Sequence, residues 1–83
     1  MITKERAFSE IIRILRSELN IQGEIESYTT FKSMSLDSLQ IMQLLVYLED
    51  GLSFEFSEDA TTDSVRELTV EILSRLVVSQ RVS

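Results

Sequence analysis

Leu36-Asp37-Ser38-Leu39-Gln40-Ile41-Met42-Gln43-Leu44-Leu45-Val46-Tyr47-Leu48-Glu49-Asp50 reads as a helix with a marked beginning and end. Asp37 is a good N-cap, and Asp37-x-x-Gln40 approximates a capping box. Gly51 stands where a left-handed residue would close the helix, with Leu52 to make the hydrophobic contact that often follows. The spacing therefore predicts a helix over residues 38–50. It is apolar nearly all round: Leu39, Ile41, Met42, Leu44, Leu45, Val46 and Leu48. Such a helix is either deeply buried or keeps a face for a partner. A chain of 83 residues has too little protein to bury every side, so a face kept for a partner is the expectation. Ser38 falls in the first turn, where unpaired backbone N–H groups and the positive end of the helix dipole favour a covalently attached phosphate.

Upstream, Phe8, Ile12, Leu15 and Leu19 are spaced by four, three and four, with Ile11 widening the stripe. This predicts a first helix over residues 4–19, with Thr3 as its N-cap. Asn20 and Gly23 accept the left-handed backbone angles that end it. Residues 20–36 then form a long connection, with Ile21, Ile25, Tyr28 and Phe31 as pins dipping back into the core. Downstream, Leu52-Ser53-Phe54-Glu55-Phe56 alternates apolar and polar but is too short to be more than a loop against the core. A single helical turn is expected at 58–61. Ser64-Val65-Arg66-Glu67 satisfies a Ser-x-x-Glu capping box, predicting a last helix over 65–78 with the stripe Val65, Leu68, Ile72 and Leu76. The fold class is all-α, a small bundle of three to four helices in a single domain spanning 1–83.

Composition narrows the chemistry. Hydrophobic residues make up 43% and charged residues 27%, with two glycines and no proline, which suits helices joined by loops. There is no cysteine and no histidine. The chain therefore has no disulfide, no thiol nucleophile, no imidazole base, no Cys-type metal site and no imidazole ligand. An enzyme is not expected, and neither is a catalytic or metal-ligating residue. Residues 1–20 carry four basic and three acidic side chains, a net +1. Residues 21–83 carry four basic and eleven acidic ones, a net −7. Such a surface repels nucleic acid and suits partners that present basic patches. No apolar run is long enough to cross a bilayer and no signal peptide is visible, so a cytoplasmic monomer is expected.

The ordered set of features resembles the acyl and peptidyl carrier proteins over about residues 31–72. Leu36-Asp37-Ser38-Leu39 resembles their attachment site, followed as it is by a helix ending Leu48-Glu49-Asp50. Phe31 resembles the aromatic residue that often precedes the attachment loop. Ser64, Val65 and Leu68 resemble the Thr-Val-x-x-Leu opening of the last helix. The resemblance implies a long loop between helices one and two and a free-standing carrier domain. It also implies a 4′-phosphopantetheine arm on Ser38, attached by a phosphopantetheinyl transferase from coenzyme A with Mg²⁺, the partner enzyme supplying the base. The arm would carry acyl or aminoacyl groups as thioesters, raising their effective concentration at each partner.

By the same resemblance, Asp37 and Leu39 flank the cofactor, and Asp37 also helps to position Mg²⁺. Leu39, Met42, Val46, Glu49 and Asp50 form the surface met by the transferase, by a loading ligase or transferase, and by downstream synthase enzymes. Phe54 and Phe56 are expected to pack in the core, the alternative being that they line the space where a short acyl chain tucks in.

Three departures bear on the pathway. Ser35 stands where the family often has glycine, which restricts the loop backbone, and Met34 stands where it often has leucine. Gln40 and Gln43 replace residues often acidic in fatty-acid carriers. The segment between Phe56 and Val65 is short, so the small third helix should be reduced. These favour a dedicated polyketide, nonribosomal peptide or specialised fatty-acid pathway over housekeeping lipid synthesis. A D-alanyl carrier for teichoic acid modification is the alternative within the class. A helical protein–protein adaptor, with Ser38 only a helix start and no prosthetic group, is the alternative outside it.

Overall fold

Thr3 opens the first helix, its hydroxyl accepting the Arg6 N–H at 3.1 Å. In the computed structural model, which describes residues 2–56 and 61–79, α1 spans Lys4–Ser17. It is two residues shorter than its pattern suggests. Its backbone turns away at Leu19 and Asn20, Asn20 (φ 55°) and then Gly23 (φ 85°) taking left-handed angles. A 3₁₀ turn at Lys32–Met34 precedes α2 (Ser38–Leu52), α3 (Thr62–Arg66) and α4 (Val70–Ser79). The fold is all-α, and among the described residues there is no strand, only an isolated antiparallel bridge between Thr30 and Thr69. No helix among the described residues is long and apolar enough to cross a membrane.

α1 packs against α4 and α2, and α2 packs in turn against α3. The core is Ala7, Ile11, Ile14 and Leu15 of α1, Ile41, Leu44, Leu45, Leu48 and Leu52 of α2, Val65 of α3, and Val70, Leu73 and Val77 of α4. Phe31, Leu36 and Phe54 enter it from the connections. The buried face of α1 is therefore rotated from the expected stripe. Phe8 and Ile12 lie along its edge, half-buried, because α4 and α2 meet the helix on the side of residues 7, 11 and 14, and Leu19 is half-buried beyond its end.

The C-terminal third corrects the sequence reading in register. Ser64 does not open the last helix. It is the N3 residue of α3, where it completes a capping box with Thr61, each donating its N–H to the other's hydroxyl at 3.1 Å. The last helix begins at Val70 rather than 65. Thr69 precedes it, its hydroxyl accepting the Ile72 N–H at 3.1 Å. Thr69-Val70-Glu71-Ile72-Leu73 is thus the literal Thr-Val-x-x-Leu opening. The buried stripe is Val70, Leu73, Ser74 and Val77, while Ile72 is exposed. Ser74 holds its place in that stripe by donating its hydroxyl to the Glu71 carbonyl at 2.6 Å, and among the described residues no buried side-chain nitrogen or oxygen is left unsatisfied. Of the turn expected at 58–61, residues 58–60 lie outside the described ones.

α2 also runs past its expected end. Gly51 is helical, and Ser53, at φ 55°, takes the left-handed conformation that closes the helix. The Glu10 side chain of α1 reaches over Gly51, and a Cβ there, 2.5 Å from Glu10 Oε2, would displace the end of that side chain. The long connection is pinned by Phe31, fully buried, and by Ile21 and Ile25 at the core edge. Tyr28 is 74% exposed and pins nothing. Backbone bonds do the rest of the pinning, since Val70 and Glu71 N–H, orphan donors of the first turn of α4, reach Thr29 O at 3.1 Å and Ser27 O at 3.0 Å.

Candidate functional site

The start of α2 is defined by a reciprocal cap. Gln40 N–H donates to Asp37 Oδ1 at 2.8 Å, and Asp37 N–H donates to Gln40 Oε1 at 3.1 Å. A helix start leaves four N–H groups without intrahelical partners. The box satisfies those of Asp37 and Gln40 and leaves those of Ser38 and Leu39 without a partner among the described residues. Ser38 is the first helical residue, exposed, and its hydroxyl makes no hydrogen bond among the described residues. Asp37 is exposed too, and only its Oδ1 is engaged. The site is an accessible hydroxyl beside two open N–H donors, the positive end of a fifteen-residue helix and a carboxylate oxygen open to solvent.

Below Ser38, Leu39, Met42 and Val46 are 63%, 53% and 55% exposed. With Asp50 they lie within roughly a quarter of the helix circumference. Gln43, beside them, is exposed and neutral, and Tyr47 flanks the strip. Met42 and Val46 also border an open groove of about 440 Å³, with Leu45 and Glu49 of α2, Phe56, and Thr62 of α3 on its walls. Phe54 is buried and meets Phe56 edge to face, ring centroids 4.7 Å apart, so Phe56 is the ring that reaches the groove. The structure thus brings Ser38, Asp37, Leu39, Met42 and Val46 onto one end and face of one helix. Glu49 is half-buried, and its Oε2 accepts the Phe56 N–H at 2.9 Å, fastening the segment that leaves α2. Asp50 is exposed.

Two further residues shape the approach to the site. Ser35 is left-handed, at φ 61° and ψ 31°, which is the conformation that makes glycine the favoured residue there. Arg66, at the end of α3, donates its Nε to the Leu36 carbonyl at 3.2 Å across thirty residues of chain. No sequence signal marks it, because a lone arginine after an apolar residue reads as solvated charge.

The family model for the phosphopantetheine attachment site matches residues 9–73. The chain belongs to that family. As a member of the phosphopantetheine attachment family it is a carrier that holds 4′-phosphopantetheine covalently and works with phosphopantetheinyl transferase and synthase enzymes. Neither a curated protein nor a solved structure matches it. The residues at the start of α2 fit the group: a free hydroxyl can form its phosphodiester, and open N–H donors suit a phosphate. When bound, the group supplies a flexible arm whose terminal thiol holds cargo as a thioester.

Proposed function

We propose that Ser38 is the attachment residue and that the chain carries acyl or aminoacyl groups between enzymes of polyketide, nonribosomal peptide or specialised fatty-acid synthesis. The observation that carries the assignment is the position of Ser38, at the first turn of α2, exposed, with its hydroxyl free of any described partner. Asp37 has two compatible tasks: it caps the helix, and its second oxygen, open to solvent, helps to position Mg²⁺ while the transferase works. Leu39, Met42 and Val46 are the surface that the transferase and later enzymes grip. Their exposure supports this, since solvated leucine, methionine and valine in one strip have no packing task in the folded chain.

The pathway reading is supported by the neutrality of that strip. Gln40 turns its side chain to the cap, Gln43 is uncharged, and the Glu49 carboxylate is engaged with Phe56. Partners would therefore read the upper half of α2 by apolar contact more than by charge, with Asp50 the acidic contact at its lower end. The adaptor alternative loses ground to the family membership, which brings a prosthetic group with it.

Intact-mass measurement after incubation with a promiscuous phosphopantetheinyl transferase, coenzyme A and Mg²⁺ tests the proposal. Quantitative gain of one phosphopantetheine is expected, and no gain under conditions that modify a control carrier would overturn the proposal. Loading of the modified protein by acyl or aminoacyl enzymes, set beside a D-alanine ligase, then distinguishes the pathway reading from the D-alanyl carrier.

A further inference from the structure

We infer that Arg66 is a positioning residue for the modification of Ser38, holding residues 35–37 against α3; the inference rests on Ser38 being the attachment residue. Downstream of Ser38 the backbone is fixed by the capping box and by Ile41 and Leu44 in the core. Upstream it is held less well. Ser35 is left-handed and non-glycine, and Asp37 is extended and exposed. Two contacts fix the stretch between them: the buried Leu36 side chain and the hydrogen bond from Arg66 Nε to the Leu36 carbonyl. Among the described residues it is the only hydrogen bond that reaches residues 35–37 from outside the segment 32–41.

The other end of that bond is also constrained. Arg66 is half-buried and makes no ion pair among the described residues, so the loop carbonyl is its described partner. Its neighbour Val65 is fully buried, and the Thr61 cap sets the start of α3. A five-residue helix is not stable alone, and this link joins it to the loop that presents Ser38. The reacting hydroxyl, the α2 strip and the α3 wall of the groove are thereby held in one arrangement. In the transfer, Ser38 Oγ displaces 3′,5′-ADP from the phosphorus nearest the pantetheine, and its proton passes to the transferase's base. A hydroxyl that wanders presents the attacking geometry less often, while the α2 surface that sets binding is unchanged.

The test compares wild type with Arg66→Met, Arg66→Lys and, as a control, Arg75→Met on the exposed face of α4. Modification kinetics with a promiscuous transferase are measured alongside amide exchange by NMR on the unmodified proteins. Expected for Arg66→Met is a roughly five- to tenfold fall in kcat with KM within about twofold, and faster exchange at the hydrogen-bonded amides of Ser35, Asp37 and Gln40 while α1 and α4 keep their protection. Arg66→Lys, which keeps a donor, recovers part of the loss, and Arg75→Met behaves as wild type. Unchanged kcat and unchanged exchange in Arg66→Met overturn the inference. So does a fall in kcat matched by loss of protection throughout the chain in both Arg66 variants, which marks general destabilisation. Should Arg66→Met fail to fold, Arg66→Lys decides by the same two readouts. Failure of wild type to be modified strikes the attachment reading instead, and the exchange measurement still tests the Arg66 contact.

Discussion

The Asp37 carboxylate and the Gln40 amide each accept the other's backbone N–H, at 2.8 and 3.1 Å, closing the first turn of α2 around Ser38. The pair gives Asp37 a stability role separable from any role in modification. Asp37→Ala should cost about 1 kcal/mol in urea unfolding. Asp37→Asn keeps a capping oxygen and should stay within about 0.5 kcal/mol of wild type. Both should slow phosphopantetheine transfer, since both remove the charge that faces solvent beside Ser38. Transfer at the wild-type rate by Asp37→Asn would reduce Asp37 to a cap.

Ser35 holds a left-handed backbone that favours glycine. Ser35→Gly should stabilise the protein by about 0.5–1 kcal/mol, the relief of the left-handed strain being partly offset by the greater freedom of glycine in the unfolded chain. Ser35→Val, β-branched at the same angles, should destabilise it. A Ser35→Gly variant less stable than wild type in thermal or urea unfolding would contradict the local geometry.

Met42 and Leu44 lie two residues apart on α2 and face opposite environments, one exposed and one fully buried. Leu44→Ala should cost about 2–5 kcal/mol, a large part of the stability of a domain this small. Met42→Ala should change stability by less than about 0.5 kcal/mol yet raise the KM for the transferase. Equal effects of the two on unfolding would mean that the strip is core rather than contact surface.

Two ion-paired carboxylates add to the acid sensitivity of the fold. Hydrogen bonds from Arg13, at 3.0 and 2.9 Å, hold the Glu10 carboxyl below the usual glutamate value, with its charge adding to the effect and partial burial opposing it. The Lys4 ammonium does the same for Glu71, first by its hydrogen bond at 3.0 Å and then by its charge. Each group binds its proton less readily folded than unfolded. Their contribution is therefore present above the unfolded value, near pH 4.3, and is lost as pH falls through the lower folded values. Denaturation midpoints should fall on acidification in that range, and less steeply in a Glu10→Gln, Glu71→Gln double variant. An equal slope would assign the acid sensitivity to other groups.

How far the fold is legible varies along the chain for physical reasons. The caps at Thr3 and Asp37 are local, so three or four residues suffice to show them. The excess apolar surface of α2 is legible as well, because a short chain cannot hide it. The C-terminal register is not. Ser64 and Glu67 make a good capping box on paper, but Glu67 ends α3 instead, and the buried stripe of α4 contains Ser74, whose polarity masks the period in the sequence. Gly51 looks like a helix end, yet it is helical and Ser53 takes the left-handed closing position, which no local pattern marks. Arg66 and the Glu49–Phe56 contact depend on folded proximity and have no local pattern.

The most direct measurement is tandem mass spectrometry of peptides from the transferase-treated protein, run beside Ser38→Ala. The account predicts the phosphopantetheine on Ser38 alone in wild type and an unmodified Ser38→Ala protein that retains its helical circular dichroism. A group on Ser35 or any other hydroxyl, or a Ser38→Ala protein that still acquires it, would contradict the account.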